Sequence, residues 1–128
     1  MKDQVLSIQQ MLSLRELGID ISKASMLWVY KVESGYYRLF INKEDKDDLS
    51  SDKIPTFTLQ DMINIMPVSI KRDGRKGELF LSHKDISYFG FDNSGRIVYL
   101  VGYKMCDNES VLSIAMDMLI WLKENKYI

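Results

Sequence analysis

Apolar residues near the start of the chain recur at helical spacing: Ile8, Met11, Leu12, Leu14 and Leu17 in "IQQMLSLREL" share one side of a 3.6-residue turn. Ser7 stands at the cap position with Gln10 three residues on, and Leu6 and Met11 hold the two positions of a hydrophobic staple. Gly18 supplies a left-handed stop, so a helix is expected over 8–17. The stretch "IPTFTLQDMINIMP" follows the same rule. Thr58 caps, Asp61 lies three residues on, and Leu59, Met62, Ile63 and Met66 fall at i, i+3, i+4 and i+7 before Pro67 ends the helix. Pro55 keeps the approach extended. "LSIQQM" and "FTLQDM" look alike because capping selects the same residue types wherever a short helix begins, so they are not read as a repeat.

Elsewhere the period shortens to two. "MLWVYKV" and "YYRLFI" are rich in aromatic and β-branched residues and are separated by Ser34-Gly35, which predicts a hairpin. Three more strands are expected at 78–82, 86–91 and 97–103, divided by "SHKD" and "DNSG", with an edge strand in "PVSIK" before the turn "RDGRKG". Apolar residues on both faces of 97–103 predict a central strand, covered on each side.

From Ser110 to Asn125 the helical pattern returns with a wide apolar face. Val111, Leu112, Ile114, Ala115, Met118, Leu119, Trp121 and Leu122 form a core stripe, which Met116 and Ile120 widen. The width predicts a helix held between the sheet and a further element, or one whose outer edge meets another chain. The resulting expectation is one α+β domain, residues 1–128. It has an antiparallel sheet of about five strands, N- and C-terminal helices packed on one face, and a short middle helix.

Composition narrows the function. With 17 Lys and Arg against 18 Asp and Glu the charge is −1, so a dedicated nucleic-acid binder is disfavoured. A single cysteine, no signal-like start and no apolar run of membrane length point to the cytoplasm, with no membrane insertion expected.

Candidate chemistry is sparse. His83 is the sole histidine, beside Ser82 and two residues before Asp85; neighbours on a strand point to opposite faces, so "SHKD" alone cannot assemble a nucleophile and its base. Cys106 precedes the last helix, but Asp107 and Glu109 oppose thiolate formation, and one His with one Cys does not make the usual zinc set. Asp45, Asp47, Asp48 and Asp52 lie in "NKEDKDDLSSDK", a mixed-charge surface loop lacking the glycine and glutamate of a calcium loop. Thus no catalytic, metal-binding or cofactor residues are assigned. Lys71, Arg72, Arg75 and Lys76 form a basic turn that is a weak nucleic-acid candidate.

Aromatics carry the better hint. Trp28, Tyr30, Tyr36 and Tyr37, with Tyr88, Tyr99 and Tyr103, are spread over the predicted strands; strands favour aromatics anyway, so an aromatic-rich sheet core is the first reading of them, and the enrichment of such rings at interfaces is the second. Trp28, Tyr30, Tyr36, Tyr37, Met116 and Ile120 are the candidate contact residues, for a protein partner or a second copy.

Three ordered blocks, "VLSIQQMLSLRELGIDISKASM", "IPTFTLQDMINIMP" and "AMDMLIWLKENKY", together resemble a functionally uncharacterised family of short proteins encoded in bacterial prophages and related mobile elements. The resemblance covers about half the chain and implies shared fold and origin, without catalytic residues to carry over. Proteins of that context often bind a host or element-encoded macromolecule, so the expected function is a non-catalytic protein-interaction module. The alternative is a small-ligand or enzymatic domain with a tyrosine-lined pocket between sheet and helices, to which Arg38 or His83 would add polar groups.

Overall fold

In the computed structural model, described over residues 4–42, 53–106 and 109–128, the elements follow the order α1 (Ile8–Glu16), β1 (Met26–Lys31), β2 (Tyr36–Ile41), β3 (Lys53–Thr56), α2 (Leu59–Ile65), β4 (Ser69–Arg72), β5 (Arg75–Leu81), β6 (Asp85–Phe91), β7 (Ile97–Lys104) and α3 (Val111–Glu124). The class is α+β and every strand pair is antiparallel. The strands form two sheets, ordered β2-β1-β3 and β4-β5-β6-β7. Tertiary contacts divide the chain into two compact units, Met1–Asp61 and Met62–Ile128.

In the first unit, α1 begins as its sequence directs. Ser7 Oγ accepts from the Gln10 amide while the Gln10 side chain accepts from the Ser7 amide, and Leu6 and Met11 are buried. Gly18 follows the cap at φ 89°, an angle that a side chain disfavours. Leu6 then ties this end to the sheet: its N–H donates to Phe57 O, and its carbonyl accepts from Thr56 Oγ1 and Trp28 Nε1. Those bonds satisfy polar groups inside a core of Met11, Leu14, Trp28 and Phe57. Lys53–Thr56 is a true strand, and Pro55 is tolerated because β3 is an edge.

The second unit is built on a meander whose inner face carries Ile70, Ile86 and Tyr88, all buried. Helix α3 contacts β6 and β7 and buries Leu112, Ile114, Ala115, Met118, Leu119 and Leu122. Its N-terminus is closed by a reciprocal pair between Ser110 and Ser113. Beyond it Lys126, at φ 64°, turns the chain so that Tyr127 stacks on Trp121 and donates to Lys71 O at 2.7 Å.

One expectation about this sheet is corrected. Strand β7 is an edge strand, and β6 lies inside the sheet. Ile97 and Tyr99 are exposed while Val98 and Val101 are half-buried, so the double-sided apolar pattern of β7 marks an open face rather than a second covered one.

Candidate functional site: an open aromatic sheet face

The rows of β5, β6 and β7 define what the outer face presents. Glu78 is paired with Phe89 and Phe89 with Tyr99, while Phe80 is paired with Ser87 and Ser87 with Gly102. Directly opposed residues share a face, so Glu78, Phe80, Phe89, Tyr99 and Gly102 project to one side, joined by Phe91 and Ile97, which oppose each other. Phe89 is the hub, with ring centroids 5.4 Å from Phe80, 6.1 Å from Phe91 and 5.8 Å from Tyr99. Phe80, Phe91, Ile97 and Tyr99 remain 46, 67, 53 and 65% exposed. A contiguous apolar patch of this kind is a usual mark of an interaction site.

Beside the rings the surface dips. A hollow of about 420 Å³ is lined by Asp85, Ser87, Tyr99, Gly102, Tyr103 and Lys104, next to the side-chain-free position at Gly102. Ser87 Oγ is buried there without a hydrogen-bond partner among the described residues. A second groove, about 520 Å³, runs past Lys76, Glu78, Phe80, Phe89 and Phe91.

The other candidates are dispersed. Trp28 is only 8% exposed and its indole is spent on Leu6 O, so it is a core residue and is removed from the contact set. Tyr30 and Tyr37 oppose each other across β1 and β2 and pack edge to face at 5.4 Å. Tyr36 lies on the opposite face, with the Arg38 guanidinium over its ring and donating to its hydroxyl at 3.2 Å. Met116 and Ile120 are half-buried on α3.

The basic turn divides by face. Lys71 opposes Lys76, and Arg72 opposes Arg75. Arg72 is committed inside its unit, donating to Leu100 O at 2.7 Å and lying over the Trp121 ring. Arg75 helps to hold the Asp92 carboxyl below its usual range, after larger contributions from hydrogen bonds of Arg96 and Ser94.

His83 is exposed in the turn between β5 and β6. Ser82 Oγ donates to Asp85 at 2.7 Å and accepts from the Lys84 and Asp85 amides, which locks the turn without the imidazole. Cys106 is exposed, and a hydrogen bond and negative charge from Glu109 push its thiol up. Among the described residues no group of three or more His, Cys, Asp or Glu is placed to hold a metal, and Asp45, Asp47, Asp48, Asp52 and Asp107 lie outside them. No described helix is long and apolar enough to cross a membrane.

Sequence reasoning placed Tyr99 among the interface-type aromatics but missed Phe80, Phe89, Phe91 and Ile97. The available signal was the two-residue spacing of Phe89 with Phe91 and of Ile97 with Tyr99 on adjacent strands. Comparison with protein-family models, curated proteins and solved structures found no match.

Proposed function

We propose that this chain is a non-catalytic protein-interaction module, acting in the cytoplasm and of prophage or mobile-element origin, that binds its partner through the open face of the four-stranded sheet. One observation carries the reading: Phe80, Phe91, Ile97 and Tyr99 stay exposed on a single face around the Phe89 hub. Burying such rings drives association by removing apolar area from water. The origin rests on the resemblance of the three sequence blocks, and the location on composition.

The test is a photo-crosslinking side chain placed at Phe91 and, as control, at exposed Glu16 on α1, in cells that make the full chain. A discrete protein product from Phe91 but not from Glu16 supports the module. Equal products from both positions, or none, would end it.

The hollow beside Gly102 favours a second reading, a small polar ligand held against Tyr99 and Tyr103 with Ser87 Oγ as its buried partner. A ligand of that kind would raise the melting temperature of the wild type, and Ser87→Ala would abolish the increase.

A further inference from the structure

We infer that the partner seated on this face is a second copy of the chain, related by a two-fold axis that runs along β6. The inference rests on the proposed use of the open face. It takes its geometry from the strand rows.

An axis along the middle strand of the β5-β6-β7 set exchanges β5 of one copy with β7 of the other while keeping each row level. Phe80, Ser87 and Gly102 form one such row, so the Phe80 ring of each copy meets the hollow beside Gly102 of the other. Glu78, Phe89 and Tyr99 form the next row, so each Glu78 carboxylate meets a Tyr99 hydroxyl, a donor it can accept from. Phe89 meets its own mate near the axis. A projecting ring thus faces a hollow, and an acceptor faces a donor, twice over. That is the self-complementarity an isologous interface requires.

Size sets the strength. Under this axis β5, β6 and β7 overlap while β4 lies outside, so from strand spacing and rise the shared face measures roughly 14 Å by 23 Å. That is smaller than the ~800 Å² per subunit that a standard interface buries, so the dimer belongs with the small, weak associations and its equilibrium falls at micromolar concentrations. Sheets packed face to face align within about 30° and interdigitate their side chains, as this arrangement does.

Sedimentation of the full chain over a range of micromolar concentrations should show a monomer–dimer equilibrium. Phe91→Lys should shift it to monomer without lowering the melting temperature measured under dilute conditions. A covalent trap then tests the register. In a Cys106→Ser background, Phe80→Cys combined with Gly102→Cys should give a disulfide-linked dimer under mild oxidation. The two positions are two strands apart within one copy, about 9.6 Å, beyond the ~7 Å that a disulfide spans, so only the contact between copies can close it. Phe80→Cys combined with Met116→Cys should stay unlinked.

A wild type that remains monomeric at every concentration overturns the inference, as does a dimer that survives Phe91→Lys or links equally well through Met116→Cys. A monomer whose Phe91 position crosslinks to a different protein overturns the inference while sparing the proposed function. A monomer whose face is protected only by added single-stranded oligonucleotide overturns both.

Discussion

Ser25 donates both its backbone N–H, at 3.0 Å, and its hydroxyl, at 2.7 Å, to the same carboxylate oxygen of Asp61. The Thr58 amide reaches that oxygen too, and the Asp61 amide donates back to Thr58 Oγ1. The helix-start box of α2 therefore also fastens the entry of β1. Burial pushes the Asp61 carboxyl up, but the hydrogen bonds from Ser25 and Thr58 outweigh it and hold the group below its ordinary value.

A depressed carboxylate contributes stability above its unfolded pKa, about 3.9, and that contribution is lost as pH falls through the folded value. Asp61→Asn should cost about 1–2 kcal/mol at neutral pH, the scale of a lost cap with its charge-assisted bonds. The difference from wild type should shrink in acid. Denaturant titrations at both pH values check this, and a gap that stays constant into acid would show that the charge is not the source.

The two tightest glycine approaches of the meander, at buried Gly77 and half-buried Gly90, should rank in order. A Cβ at Gly90 would run into the Lys76 backbone carbonyl, which cannot move without disturbing β5. At Gly77 it would meet Leu100 Cδ1 at 2.6 Å, the end of a side chain that can shift. Gly90→Ala is expected to lower stability by about 3 kcal/mol and Gly77→Ala by about 1–2 kcal/mol. The reverse order in thermal unfolding would refute this account of the packing.

These positions also show where the sequence was legible. Ser7 with Gln10, and Thr58 with Asp61, form the boxes that their spacing predicts, because capping is decided within four residues. The α+β class and the antiparallel pairings followed from local period and turn residues in the same way. The place of β7 did not, since an apolar strand beside solvent and one inside a sheet carry the same pattern. The open face was hidden for a related reason: "ISYFGF" is apolar on both sides, so parity alone could not separate buried Tyr88 from Phe89 and Phe91. Trp28 was misplaced because its burial and the bond from its indole N–H to Leu6 O depend on a residue 22 positions away, which no local pattern shows.

Cys106 should react sluggishly with thiol reagents despite its exposure. Glu109 accepts its hydrogen bond and sets negative charge beside it, both of which favour the protonated form. Glu109→Gln should speed alkylation at neutral pH. An unchanged rate would remove Glu109 as the cause.

Tyr88 is fully buried in the middle of the second unit and donates its hydroxyl to Pro67 O at 2.6 Å. Desolvation pushes its pKa up to about 12. The unfolded chain loses this proton near 10, so between about pH 10 and 12 the folded state holds a proton that the unfolded state has released. The stability from the neutral phenol is therefore complete below pH ~10 and drains away as pH rises through the folded value. Tyr88→Phe should cost about 1–2 kcal/mol at neutral pH, because the Pro67 carbonyl loses its donor. The same variant should lose less stability than wild type on going into alkali, so the two denaturation curves converge. If wild type and Tyr88→Phe declined in parallel across that range, the alkaline sensitivity would belong to other groups and Tyr88 would serve packing alone.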